Sequence, residues 1–300
     1  MAGLIRASRT DSSRRLARAR RAARASAVRR ALRRFVRTPS AVVGLVLTLT
    51  VLVVAALADL IAPHDPLAIV GPPLAAPSAA FPMGTDDLGR DLLSGIIVGA
   101  RTSAAVAIGV GALVLGIGLP IGIASGYRGG IVDDLLMRFT EVFQILPRFF
   151  LAIVVIALFG PGLDRLIVVL GVTSWPILAR IVRAQTLSLR EREFVDAARA
   201  LGSSETRVVR HELLPNVLPA TLVILALIMG QVLLIEASLG FLGLGDPSAI
   251  SWGYLAGQAQ RFLRVAWWLS LFPGIALILA VLAFNLLSDG LNDLWDRRGG

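Results

Sequence analysis

Six apolar stretches, each close to the roughly 20 residues that a helix needs to cross a hydrocarbon core about 30 Å thick, constrain this chain more than any other feature. They fall near 41–61, 103–125, 139–159, 166–182, 217–239 and 267–287. Backbone N–H and C=O groups find no water in hydrocarbon, so only helices and closed barrels span it. A barrel strand reads as about ten residues of alternating hydrophobicity, whereas these are continuous runs of Leu, Ile, Val and Ala. The expected fold is an all-α polytopic membrane protein with six transmembrane helices. A soluble domain of 300 residues has no interior large enough for a chain that is 56% hydrophobic, 17% charged and has a mean hydropathy of +0.76.

Arginine placement sets the expected orientation, because positive charge stays on the cytoplasmic side. Every basic side chain is arginine, and 13 of the 30 stand in residues 1–39 beside a single acid, Asp11. With that tail inside, 24 arginines fall on inner segments; Arg90, Arg101, Arg165, Arg261 and Arg264 fall outside, and Arg148 lies within a span. Both termini are then cytoplasmic. The first stretch also has the outline of a secretory signal, with Ala56-Leu57-Ala58 as its cleavage site. Its bilayer-long apolar run and its 39-residue leader favour an uncleaved helix. The tail, a run of arginines spaced by alanines, suits weak attraction to anionic lipid. No aromatic residue interleaves with it before Phe35, so nucleic-acid stacking has no support.

Several chemistries are excluded or weakened outright. Without cysteine there is no disulfide, thiolate metal site or thiol nucleophile, and His64 and His211 are too far apart in sequence to suggest a metal centre. Without lysine there is no Walker A phosphate loop, so hydrolysis of nucleotide by this chain is not expected. A membrane enzyme is the poorest reading, since no nucleophile constellation is visible.

Outside the spans, the connection 62–101 opens with Pro63, Pro66, Pro72, Pro73, Pro77 and Pro82, which prevent regular helix. Beyond it Leu88, Leu92, Leu93, Ile96 and Ile97 recur at helical spacing, which predicts a segment lying along the outer interface. Between the fourth and fifth stretches, residues 188–216 form a polar loop. Ser188-Leu189-Arg190-Glu191 has the spacing of a capping box, so a helix is expected over 189–201, with Gly202 at its left-handed end. A second short helix starts at Ser203 or Ser204 and ends at Pro215. Two short helices joined at a glycine make a compact knob. Ala197, Ala198 and Ala200 allow another backbone to approach it, or the knob merely caps the bundle.

Charges inside spans are expensive and call for an explanation, at about 2.5–3.5 kcal/mol each near a helix centre. Glu141, Gln144 and Arg148 are offset by three and four residues and so share one helical face. They line a hydrated solute path, or they reach water and neighbours for structural reasons. Pro147 predicts a kink beside them, and Pro176 and Pro219 bends in two other spans. Glu236, near the outer end of the fifth span, is placed to snorkel to the headgroups.

In the loop, Asp196-Ala197-Ala198, three residues, Gly202, nine residues, Glu212, one residue and Leu214-Pro215 resembles the EAA loop of ABC importer permeases. Asp196 stands where glutamate is usual and Glu212 where isoleucine is usual. Gly84-Thr-Asp-Asp-Leu-Gly-Arg-Asp91 and Glu236-Ala-Ser-Leu-Gly-Phe-Leu-Gly-Leu-Gly245, followed by Ser251-Trp-Gly253, are similar to segments of the oligopeptide/dipeptide branch, C-type subunit. The resemblance implies a permease subunit of an ATP-driven, binding-protein-dependent importer of peptides or similar small solutes, nickel chelates included, in a bacterial inner membrane. It implies a homologous second permease, two ATPase subunits that hold the ATP and Mg, and an extracytoplasmic solute-binding protein. No cofactor is implied for this chain itself. Glu193, Asp196, Ala197, Ala198, Gly202, Leu214 and Pro215 would couple to the ATPase, while Glu141, Gln144, Arg148 and Glu236 are candidates for the path. The competing class is a self-sufficient ion- or proton-coupled transporter using Glu141 and Arg148, against which the lack of an evident internal repeat counts.

Overall fold

A computed structural model describes residues 38–145 and 147–296, with side chains as far as 293. The expected basic tail, 1–39, thus lies outside the described residues except for its last two. The chain enters α1 (Pro39–Ala56) with Pro39 in the first turn, where its missing N–H breaks no helical bond. After one turn, α2 (Ala58–Ile61), and an irregular connection come α3 (Leu92–Arg128), α4 (Gly130–Ile145), α5 (Arg148–Phe159) and α6 (Leu163–Arg190). Two short helices, α7 (Glu193–Ala200) and α8 (Glu205–Val208), lead through a π turn (Val209–Leu213) into α9 (Leu214–Phe241). The chain finishes with α10 (Trp252–Ala259), a 3-10 turn and α11 (Trp268–Asp296). Among the described residues extended pairing is limited to two isolated bridges, Ile69 with Arg90 and Thr85 with Asp91.

Among the described residues five helical segments, α1, α3, α6, α8 to α9 as one run, and α11, are long and apolar enough to span, and α4 with α5 makes a sixth as a pair bent by 68°. The single span expected over 139–159 is therefore broken. Pro147 has no N–H for the helical ladder and its ring crowds the preceding turn; it occupies the cap position from which α5 restarts at Arg148.

Lipid tails are as apolar as leucine, so helices in a membrane associate by close packing more than by hydrophobic burial. α3 and α6 meet along most of their lengths, and Gly118, Gly122 and Gly126 form the contact. A methyl group built on Gly122 would lie 2.6 Å from Ala179 O, and one on Gly126 would lie 2.7 Å from Arg183 O. Val106, Val110 and Val114 of α3, Leu170, Leu178 and Val182 of α6, and Val217, Ile228 and Val232 of α9 build the core around this seam. α11 closes on α1 by the same device, with the Leu286–Leu287 backbone against Gly44.

The end of the bundle remote from α7 is covered. At 37 residues, α3 is about 55 Å long, well beyond the hydrocarbon thickness. Its first turns do not lie along an interface as expected: Leu92 and Ile96 pack beneath Leu255, Trp268 and Leu269. The Gly84–Asp91 segment owes its composition to this cover. Gly84 and Gly89 have φ of +79° and +82°. The buried Thr85 hydroxyl donates to Pro72 O (2.6 Å) and accepts from Ala75 N (2.8 Å). Asp86 Oδ1 accepts from Leu88 N and Arg90 N, and Asp91 Oδ2 caps α3 by accepting from Ser94 N (3.0 Å). Burial pushes the Asp86 carboxyl above its ordinary range against the pull of those two amides.

The seam yields a paired prediction. Gly122→Ala overpacks α3 against α6 and destabilises by about 1–3 kcal/mol, whereas Gly116→Ala, whose added methyl meets nothing within 4 Å, is neutral or stabilising through helix propensity. Thermal unfolding of the two variants in detergent gives opposite signs relative to the parent chain.

Candidate functional site

The knob is built at the end of α6, and its start differs from the expected capping box. Ser188 lies inside α6, which runs on to Arg190, and no side chain caps α7, whose cap position is Arg192. α6 continues because its last turns remain packed: Thr186 is fully buried against Gly126, and Arg190 Nη1 donates to Gly126 O (3.1 Å). The turn after α7 is as expected. Gly202, at φ +77°, donates to Arg199 O (2.9 Å), and Ser203 N donates to Ala198 O (3.1 Å), the paired bonds that close a helix on a left-handed residue.

Pro215 does not end the second helix. The π turn, a local widening of the helical ladder, carries the chain without a stop into α9, with Pro215 as its second residue. Val195, Val208 and Leu213 are buried and form a small core with Tyr127, Leu189 and Ala198. Glu212, half-buried in the π turn, stands beside Leu213, which fills the rear of the knob. The Arg199 guanidinium lies 5.4 Å over the Tyr127 ring and ties α7 to the end of α3.

What the knob leaves outside is distinctive. Glu193, Asp196, Ala197 and Pro215 are exposed, Ala198 turns inward, and Leu214 packs against the main core. The Asp196–Arg199 pair, at 3.4 Å, is itself exposed and contributes at most about 1 kcal/mol. Phe194, Ala197 and Leu201, offset by three and four residues, make an apolar stripe on the outer side of α7; Phe194 is 39% and Leu201 86% exposed. A methyl group built on Gly202 would meet nothing within 4 Å.

The face expected for Glu141, Gln144 and Arg148 is interrupted. Glu141 and Gln144 lie on exposed positions of α4, and Gln144 Oε1 accepts from Arg180 Nη1 (2.9 Å). Arg148 begins the next helix beyond the bend, so the common face predicted for the three is lost at Pro147. Glu236 does not snorkel. It is 4% exposed near the opposite end of the bundle, where one carboxylate oxygen accepts from the Ser251 hydroxyl.

Residues 118–299 match the family model described as the binding-protein-dependent transport system inner membrane component, and residues 26–83 match the N-terminal TM domain of oligopeptide transport permease C. The chain belongs to this permease family. It is 36% identical over 273 residues to the dipeptide transport system permease protein DppC of Alkalihalophilus pseudofirmus, covering 89% of each chain. It is 37% identical to DppC of Bacillus subtilis, covering 89% of this chain and 84% of that one. The fold is that of a chain in the inward-facing MetNI methionine ABC transporter, with a TM-score of 0.56 at 21% identity over 68% of this chain and 97% of that one. Membership identifies a membrane permease subunit, and it counts against the self-sufficient transporter.

Within the permease, Phe194 and Leu201 are the surface residues that the sequence reading passed over. Their signal was present as apolar residues at helical spacing on an otherwise polar segment. Gly202→Ala is expected to strain the turn by about 1–2 kcal/mol while meeting no neighbour. Amide exchange in 193–203 should accelerate without a change in α3 or α6; unchanged exchange would show that the left-handed turn is dispensable.

Proposed function

We propose that this permease subunit imports peptides or similar small solutes by pairing with a homologous permease, and that a separate ATPase subunit seats on its knob. ATP and Mg then belong to the ATPase, solute delivery to an extracytoplasmic binding protein, and the knob to the cytoplasmic side with both termini. Support for peptide comes from the names of the relatives, and support for the sidedness from the arginines. The observation that carries the docking reading is the Phe194–Ala197–Leu201 stripe, an exposed apolar strip rimmed by Glu193, Asp196 and Arg199. An apolar centre within a charged rim is the usual anatomy of a protein interface.

Glu193 and Asp196 set register at that rim, Ala197 and Gly202 admit the partner's backbone, and Leu214-Pro215 passes its displacement into α9. Ala198 serves from inside, by holding α7 on the knob's core. Closure of an ATPase pair around nucleotide draws two such knobs together, and α6 and α9, which flank the knob, carry the motion into the bundle. Glu141 and Gln144 remain the better candidates for the path because they are exposed near the knob end; Glu236 is withdrawn from it.

Leu201→Asp should abolish ATP-dependent uptake in reconstituted vesicles and weaken ATPase capture by roughly 30-fold or more, a loss of about 2 kcal/mol typical of an interface centre. The variant should still co-purify with the second permease. Full uptake by it would remove the docking reading.

A further inference from the structure

Glu236 is a buried carboxyl that the transport reading does not use. It sits in the last turns of α9, and its Oε1 accepts from Ser251 Oγ, which in turn caps α10 by accepting from Tyr254 N (3.1 Å). Its Oε2 is buried and has no hydrogen-bond partner. No cationic side chain among the described residues pairs with it. Arg101, on the neighbouring α3, is engaged with Asp59 and Ala55 O, and Arg165 with the carbonyls of Phe159, Gly160 and Pro161.

A cavity of about 20 Å3 adjoins the carboxyl, with Thr102, Ile156, Leu163, Asp246 and Ser251 in its wall. That volume holds one water. The titratable and charged groups on the elements packed here are Arg101 of α3, Asp164 and Arg165 of α6, Asp246 of the following loop and Tyr254 of α10; α5 contributes only apolar residues beyond Arg148. Asp246 lies outside the span. Ser248 donates to its Oδ1 from both hydroxyl (2.6 Å) and backbone (2.9 Å), and these bonds, with help from Leu163 N–H and Arg165, hold its carboxyl below the usual range. One carboxylate at the cavity is thereby committed to being charged.

A second negative charge beside it, dehydrated and with one oxygen unbonded, is strongly disfavoured. When two acids share a site, their environments divide the roles between them. We propose that Glu236 is a proton-binding site: it is held as the neutral acid, with Oε1 accepting from Ser251 and Oε2–H directed into the cavity shared with Asp246. The bound proton, taken from water at that end of the bundle, fastens α10 to α9. The contact it secures is tight, since a methyl group built on Gly253 would lie 2.5 Å from Ala237 Cα. Loss of the proton leaves an unpaired charge under α10 and loosens its seat. This inference concerns the end of the bundle away from the knob and does not rest on the ATPase reading.

Infrared difference spectroscopy tests it on the assembled transporter in lipid discs at neutral pH. The wild-type minus Glu236→Gln spectrum should show a protonated-carboxyl C=O band that shifts on carboxyl-13C glutamate labelling. Ser251→Ala should move that band to higher frequency by removing its hydroxyl donor, which assigns it even where Glu236→Gln does not assemble. Asp246→Asn, which removes the neighbouring charge, should let the band disappear at a lower pH. Absence of the band from wild type, or its persistence in Glu236→Gln, overturns the proposal. An unmoved band in Ser251→Ala or an unchanged titration midpoint in Asp246→Asn overturns the geometry assigned to it.

Discussion

The seam between α3 and α6 governs the rest of the bundle. Three glycines at four-residue intervals admit the carbonyls of Trp175, Ala179 and Arg183, and a contact this close leaves little freedom for either helix to slide. Towards the knob the seam continues in polar form. Arg183 grips Asp133 through two nitrogens, Ser125 donates to the same carboxylate, and Arg190 reaches Gly126 O. α4 is thus pinned to both helices of the seam, and α7 hangs from an end of α6 that is itself fixed. The stacking of Arg199 on Tyr127 adds one more tie. A load applied to the knob reaches the seam through stiff parts.

The far end solves a different problem with different chemistry. There the chain must cover helix ends and backbone bends, and much of that cover is made by side chains bonded to backbone. Thr85 holds the turn beneath Trp268, whose Nε1 donates to Thr85 O (3.2 Å). Trp252 Nε1 donates to Ile96 O (2.9 Å), which joins α10 to the first turns of α3. Thr85 in the Gly84 to Asp91 segment and Trp252 at the start of α10 thus build the cover by side-chain contacts with backbone.

The spans were legible because hydrocarbon leaves few alternatives: a continuous apolar run of bilayer length must be helical, whatever it packs against. Gly202 was legible for a local reason, since a left-handed turn tolerates little else. Two features were hidden by contacts distant in sequence. The capping box at Ser188 was overridden by the packing of Thr186 and Arg190 on Gly126, which prolongs α6 past its apolar stretch. Glu236 looked free to reach the headgroups because nothing in its neighbourhood announces that Ser251 folds back over it. The path face of Glu141, Gln144 and Arg148 assumed an unbroken helix, although Pro147 stood among them and signalled at least a kink.

That break divides one span into parts with unlike attachments. α4 is held by the Asp133–Arg183 pair and by Phe139 and Phe143, which pack on the Trp175 ring at 6.0 and 5.4 Å between centroids. α5 enters the core through Phe149, Ala152, Ile153 and Ile156. A change of angle between them breaks no helical hydrogen bond at Pro147, because proline donates none, whereas the same bend inside α3 would have to part glycine contacts along the seam. The interruption that removed the predicted polar face therefore lies close to Gln144 and its partner Arg180, on the side nearer the knob.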